Sequence, residues 1–159
     1  MRVLGYSSEV RKGVEEEFKF GLLLPATALV LWPDIERLLT AHPPQRGCEL
    51  FATNEDILRS VVDTSAFVWV GVSDAVVELV MICCFRDYPM TKTMEVFYVG
   101  GKRLARAFTF WKKVEEWAAA CGATHIEARM SRAMVRFYRS MDVEPTAIYY
   151  RKALVGFAN

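Results

Sequence analysis

The sequence predicts an α/β (α+β) fold, a single domain over residues 1–159 in which a mixed and mainly antiparallel central sheet is flanked by helices. Apolar runs separated by short turns in the middle of the chain indicate an antiparallel meander. The pattern then changes to helical spacing and back to short strands, which indicates β-α-β connections. A hydrophobic content of 53% in 159 residues is enough for one buried core.

The first half of the chain predicts two helices before the sheet. Residues 1–24 give no clear pattern, whereas residues 25–41 carry apolar side chains at helical spacing. Pro33 interrupts that run and predicts either a kink or a helix that restarts there. Residues 53–56 (Thr-Asn-Glu-Asp) offer capping side chains before a short amphipathic helix that begins near Ile57.

Three strands are predicted next, over residues 66–72, 76–85 and 93–99. The first two are separated by residues 73–75 (Ser-Asp-Ala), which resemble a hairpin turn. We expect the three strands to pair in sequence order as a meander.

Helical spacing follows Gly100-Gly101 and predicts one helix from Leu104 to about Cys121, ended by Gly122. The rest of the chain predicts a strand over residues 124–130, a helix over 132–141 and a last strand over 147–154. The strand–helix–strand order here makes the sheet a mixed one.

Composition narrows the classes of function. The four cysteines form no Cys-x-x-Cys pair and no metal-like spacing with either histidine, so no metal site is predicted. The apolar run 75–85 is too short to cross a bilayer and contains Glu78. The first twenty residues have no apolar signal core, and a cytoplasmic protein without a membrane segment is expected.

Charge is distributed unevenly along the chain. Residues 1–85 carry 7 basic and 12 acidic residues, and residues 86–159 carry 13 and 7. The near-neutral pI does not favour nucleic acid as a partner. A basic half of this kind can face an anionic ligand, although charged runs are commonly solvated surface.

Residues 131–154 resemble the closing segment of the GNAT superfamily of N-acetyltransferases. The family pattern runs roughly Asn-x-x-Ala-x-x-Phe/Leu-Tyr-x-x-x-Gly-Phe before a final strand. Tyr138 stands at the tyrosine position, while Ser131 replaces the Asn and Asp142-Val143 replace the Gly-Phe. The resemblance implies that Tyr138 protonates the departing thiolate of coenzyme A; the other interpretation is a packed aromatic.

The resemblance also implies acetyl-CoA as cofactor, held after the central strand by backbone N–H groups at the start of a helix. The family signature there is Gln/Arg-x-x-Gly-x-Gly/Ala. With Arg103 as its first residue, Arg106 and Phe108 occupy the two small positions, so the signature is degenerate. The alternative is a tight strand–helix turn with surface basic residues. The cofactor-binding residues expected on this basis are Phe97, Tyr98, Val99, Gly100, Gly101, Lys102, Arg103 and Arg106.

Glu95, early on the third strand of the meander, is the expected general base because related enzymes often place one there. Strand alternation groups it with Phe97 and Val99 on one face and places Met94, Val96 and Tyr98 on the other. A carboxylate between apolar neighbours is expected to be partly buried; the alternative is a solvent-facing residue. Glu127 on the following strand is a weaker candidate.

Two functions follow from these features. The first is an N-acyltransferase that moves acetyl from acetyl-CoA to an amine of a small molecule or protein, with Glu95 as base and Tyr138 as acid. The second is a catalytically inactive GNAT-fold binding or assembly protein, for example a bacteriophage virion or accessory component, with protein partners. The loop at Gly100-Gly101 distinguishes the two, because only the first needs a phosphate cradle.

Overall fold

The structure, a computed structural model, describes residues 17–42 and 53–128 and shows there one sheet with helices on both faces. The strands are β1 (Lys19–Leu22), β2 (Phe67–Ser73), β3 (Val76–Asp87), β4 (Lys92–Gly101) and β5 (His125–Ala128). The helices are α1 (Pro25–Val30), α2 (Trp32–Ala41), α3 (Asn54–Val62), α4 (Leu104–Phe108) and α5 (Trp111–Ala120).

The five strands lie in sequence order, β1-β2-β3-β4-β5. β1 to β4 pair antiparallel and β4 pairs parallel with β5, so the predicted mixed and mainly antiparallel sheet is confirmed. The tight turn between β2 and β3 consists of Asp74 and Ala75, whose φ angles are 48° and 63°. Two positive φ angles in a two-residue turn match the twist of a hairpin, which explains the close pairing of the two strands.

Each face of the sheet has its own hydrophobic core. Helices α1, α2 and α3 cover one face, where Ile35, Val80 and Ile82 are fully buried. Helices α4 and α5 cover the other face, where Trp69 and Val114 are buried. The alternation of side chains along β2 and β3 supplies both layers, because successive residues point to opposite faces.

The helices α1–α3, which follow β1 and precede β2, confirm the predicted start signals. The run after Pro25 is divided at Leu31, and Pro33 lies in the first turn of α2, where its missing N–H costs no helical hydrogen bond. Thr53 caps α3: its hydroxyl accepts from the N–H of Asp56, and the Asp56 carboxylate accepts from the N–H of Thr53. This reciprocal pair is a capping box.

The prediction of a single helix from Leu104 to about Cys121 is wrong, because Thr109 and Phe110 separate α4 from α5. The Thr109 hydroxyl donates to the carbonyl of Arg106 at 2.7 Å, a bond that commonly bends a helix. The Phe110 ring packs near Phe18, with ring centroids 6.2 Å apart. The Phe110 ring centroid also lies 6.3 Å from that of Phe20, so the residue at the break packs beside β1.

The end of α5 agrees with the prediction. Gly122 has a φ of 87° and donates to Ala119, while Ala123 donates to Ala118, which together form a Schellman motif. The predicted strand over 124–130 is represented by β5, and the helix and strand predicted over 132–141 and 147–154 lie outside the described residues. None of the described helices is long and apolar enough to cross a membrane.

Candidate functional site

Strand β4 carries an irregularity in the middle of its length. Ile82 of β3 pairs with Tyr98, but the next residue, Cys83, pairs with Val96, so Phe97 is an extra residue on β4. Phe97 and Tyr98 both pack with the core under α1–α3, whereas Val96 packs on the opposite face. The expected alternation, which grouped Tyr98 with Val96 and Phe97 with Val99, is therefore wrong, because a β-bulge changes the face to which the following side chains point.

The bulge directs the Tyr98 side chain towards the end of α2. Its phenol donates to the carbonyl of His42 at 2.8 Å and lies 3.3 Å from the carbonyl of Leu38. Burial raises the pKa of Tyr98 to about 12, because the charged phenolate would lose its hydration. Tyr98 thus joins the strand that carries the candidate site to the helix on that face.

Two glycines end β4 where the chain turns towards α4. Gly101 has a φ of 121°, and a β-carbon there would lie 2.8 Å from the α-carbon of Leu79. The following N–H, that of Lys102, donates to the carbonyl of Glu78 at 2.7 Å. The turn is therefore pressed against β3, in a conformation that only glycine adopts without strain.

Arg103 immediately precedes α4 in the left-handed conformation, with φ 59° and ψ 31°. Its Nε lies 2.8 Å from Oε2 of Glu78, and both side chains are partly buried. Lys102 and Arg106 are exposed on either side of it, and the Arg106 guanidinium lies 6.0 Å from the ring centroid of Phe18. The turn is therefore rich in positive charge at the start of a helix.

Glu95 lies on β4 just before Val96 and the bulge at Phe97, and it is 6% exposed. Its carboxylate forms an ion pair with Arg86 on β3, whose side chain reaches solvent. Burial raises the pKa of Cys84, directly opposite on β3, and the negative charge of Glu95 raises it further. Glu127 pairs in register with Glu95 on β5 and is exposed, so the two carboxylates occupy neighbouring strands.

The predicted site residues thus follow one another along β4 and into α4. Glu95 and the bulge lie in the strand, and the turn and its basic residues continue from its end. Tyr138 lies outside the described residues and remains a prediction. Sequence analysis missed Glu78 as the partner of Arg103, because nothing local in the sequence links a residue of β3 to a turn more than twenty positions later.

The arrangement defines a class of fold: a meander that ends in a bulged strand, a glycine turn, a helical crossover and a parallel strand. No family model matches the chain, and no curated protein matches it. Comparison with solved structures does identify the fold, and all of the neighbours described next are acetyltransferases.

An aminoglycoside acetyltransferase from an uncultured soil metagenomic sample, solved with trehalose, has a TM-score of 0.68 at 11% identity, over 86% of this chain and 96% of its own. A GCN5-related N-acetyltransferase from Ralstonia eutropha has a TM-score of 0.65 at 11% identity, over 86% and 99%. A predicted acetyltransferase from Clostridium acetobutylicum, solved with acetyl-CoA, has a TM-score of 0.64 at 12% identity, over 90% and 100%.

These neighbours are GNAT-family acetyltransferases, and the similarity shows that this chain has the GNAT fold, a single α/β domain with an open mixed sheet. The fold predicted from the sequence is therefore confirmed. Identities near 11% carry no residue roles from these proteins to this one.

Proposed function

We propose that the protein is a GNAT-type N-acetyltransferase that moves the acetyl group of acetyl-CoA to an amine. The observation that carries the proposal is the turn from the bulged strand β4 into α4, where the left-handed Arg103 and the first residues of α4 group backbone N–H donors and the exposed Lys102 and Arg106 add positive charge. The solved structure from Clostridium acetobutylicum, which has the same fold, contains acetyl-CoA.

The conformation of this turn fits a diphosphate. Arg103 is left-handed and Leu104 begins the helix, and such a succession turns the N–H groups of residues 103, 104 and 105 towards one side. The N–H groups of Leu104 and Ala105 also have no carbonyl within the helix to donate to, as in the first turn of any helix. Exposed Lys102 and Arg106 add positive charge for an anionic ligand.

The left-handed conformation of Arg103 favours a second register for the family signature. Three positions earlier than the register used above, Gly100 becomes the first residue, Arg103 the glycine and Ala105 the final small residue. Arg103, whose φ is positive, then stands at the glycine position of the signature, and Ala105 leaves room for a ligand beside the backbone. In this register the departures from the signature are Gly100 and Arg103. Arg106 and Phe108 lie beyond its last residue.

The reaction needs a base, an acid and a hydrogen-bond donor to the thioester carbonyl. Bound acetyl-CoA would supply the activated acetyl group as a thioester. Glu95, buried and held by Arg86, would accept a proton from the attacking amine directly or through water. Backbone amides at the bulge around Phe97 would donate to the carbonyl oxygen, since a bulge interrupts the strand pairing there. Tyr138 would be the acid.

The acceptor belongs to the same proposal and is an amine of a small molecule or protein. One structural neighbour, the soil aminoglycoside acetyltransferase, was solved with sisomicin. For the present chain the exposed carboxylate of Glu127, on the strand beside the Glu95–Arg86 ion pair, would favour a cationic amine over an acidic acceptor.

Calorimetric titration with acetyl-CoA tests the proposal first. Micromolar binding that persists in Glu95→Gln would support it, because the proposed role of Glu95 is towards the amine and not the cofactor. Acetylation of an amine panel by the parent, abolished in Glu95→Gln, would complete that support. Absence of binding up to millimolar acetyl-CoA would contradict it. The second function predicted from the sequence, an inactive binding or assembly protein, would then be the one to pursue.

A further inference from the structure

We propose that Glu78 is a positioning residue: its ion pair with Arg103 holds the backbone of residue 103 in the left-handed conformation that the proposed cofactor site requires. This inference rests on the proposed function and adds a residue to its site. Arg103 would then act through its backbone, with its side chain as an anchor, instead of binding phosphate through its guanidinium.

The conformation of Arg103 is the first observation. Its φ of 59° lies in a region that non-glycine residues seldom adopt, because the β-carbon approaches the neighbouring carbonyl oxygen. Nothing in an arginine side chain favours that conformation by itself. Some contact elsewhere in the fold must therefore offset its cost.

Glu78 supplies that contact from two directions. Its carbonyl accepts the N–H of Lys102 at 2.7 Å. Its carboxylate Oε2 lies 2.8 Å from Nε of Arg103 as an ion pair, without the alignment of a hydrogen bond. The same stretch of β3 is packed against Gly101, where a β-carbon would approach the α-carbon of Leu79 to 2.8 Å. Residues 101–103 are thus attached to β3 through backbone, side chain and van der Waals contact.

Partial burial makes the ion pair effective. The Arg103 and Glu78 side chains are 31% and 21% exposed, in contrast to the Arg59–Glu55 pair on α3, whose side chains are 70% and 82% exposed. Solvent and salt screen a partly buried pair less than an exposed one. The Glu78–Arg103 pair can therefore restrain the arginine side chain, and the backbone to which it belongs, through the attraction of the two charges.

Substitutions at residue 103 separate the backbone role from a side-chain role. Arg103→Gly and Arg103→Ala both remove the guanidinium, but only glycine adopts a positive φ without strain. If the backbone conformation is what matters, Arg103→Gly keeps the affinity for acetyl-CoA within about threefold of the parent, and Arg103→Ala weakens it about tenfold. If the guanidinium binds phosphate, both variants weaken binding alike, and the proposal is overturned.

Glu78→Gln completes the test, because it removes the charge and keeps the shape of the side chain. We expect it to weaken acetyl-CoA binding about tenfold in the parent and less than about twofold in the Arg103→Gly background, where no side chain needs an anchor. Glu115→Gln on the exposed face of α5 is the matched control for loss of one acidic charge. Tighter binding by Glu78→Gln would show that Glu78 competes with the cofactor for Arg103, which contradicts the inference.

A measurement without ligand distinguishes failure of the inference from failure of the proposed function. Thermal unfolding should show Glu78→Gln lowering Tm by about 2–4 °C in the parent and by less than about 1 °C in the Arg103→Gly background. Equal losses of Tm in both backgrounds would overturn the anchor even if acetyl-CoA binds. The expected Tm pattern, with no acetyl-CoA binding by the parent, would keep the anchor and reject the cofactor.

Discussion

The phenol ring of Tyr98 occupies the space beside the α-carbon of Gly100, two residues later on the same strand. A β-carbon at residue 100 would lie 2.6 Å from Cζ of the ring, a distance that real contacts do not reach. The ring cannot easily move, because its hydroxyl donates to the carbonyl of His42 and the side chain is 5% exposed. Residue 100 is therefore glycine for reasons of space.

Gly100→Ala is expected to destabilise the protein by about 1–3 kcal/mol, the range for overpacking a rigid site. Gly21→Ala is the control, because a β-carbon there meets no atom within 4 Å. Because alanine reduces the entropy of the unfolded chain, the free energy of unfolding of Gly21→Ala should be unchanged or higher by up to about 1 kcal/mol. Urea unfolding of both variants measures the difference, and equal effects would contradict the packing account.

Ala75→Gly is expected to stabilise the protein by about 0.5–1 kcal/mol, because Ala75 has a φ of 63° in the β2–β3 turn. The same replacement at Ala119, exposed within α5, should cost about 1 kcal/mol. Urea unfolding of the two variants should thus give changes in the free energy of unfolding of opposite sign. A loss of stability with Ala75→Gly would mean that the turn is not strained.

Stability is expected to fall as the pH rises above 9. Burial raises the pKa of the Cys83 thiol from 9.0 to about 12 and that of the Tyr98 phenol from 10.0 to about 12. The unfolded chain therefore releases these protons at lower pH than the folded chain does. The stability due to the two neutral groups is complete below pH 9 and is lost as the pH approaches 12.

Urea unfolding at pH 8 and at pH 10.5 tests this pH dependence. Each group contributes a slope of at most about 1.4 kcal/mol per pH unit. Tyr98→Phe should be less stable than the parent at pH 8, because the His42 carbonyl loses its donor, but should lose less stability between the two pH values. An identical loss in parent and Tyr98→Phe would show that the phenol does not contribute.

Glu95→Gln is expected to lower kcat by about 10²–10⁴, the range for loss of a general base, provided that the chain is an acetyltransferase. Glu127→Gln is the matched control, since Glu127 pairs with Glu95 across the strands but is exposed. We expect a change of less than about tenfold in that variant. If the two variants lose activity equally, Glu95 has no special role and the pair acts only through its charge.

Local patterns predicted much of this fold. The capping box of Thr53 and Asp56 and the turn at Asp74 and Ala75 are short-range features, and both could be inferred from neighbouring residue types. The end of α5 at Gly122 is of the same kind. Each depends on interactions within a few residues, which a single sequence displays directly.

The geometry of the candidate site depends on contacts between distant segments, and this is why it could not be predicted in full. The bulge at Phe97 moves the Tyr98 side chain to the other face of the sheet. There the phenol donates to the His42 carbonyl at the end of α2. The left-handed Arg103 is held by Glu78 from another strand. A helical pattern also continued through Thr109, whose hydroxyl bonds back to Arg106 and ends α4.

The order of the strands has a consequence for how the chain folds. β2, β3 and β4 are joined by short turns and pair with their sequence neighbours, whereas β5 joins β4 only after the chain has left the sheet at Gly101 and passed through α4 and α5. Closing a longer loop costs more entropy, so pairing within the meander should precede docking of β5. Pulse-labelling hydrogen exchange during refolding would then find the amides of β2–β4 protected first, and the parallel pair that carries Glu95 and Glu127 completed last.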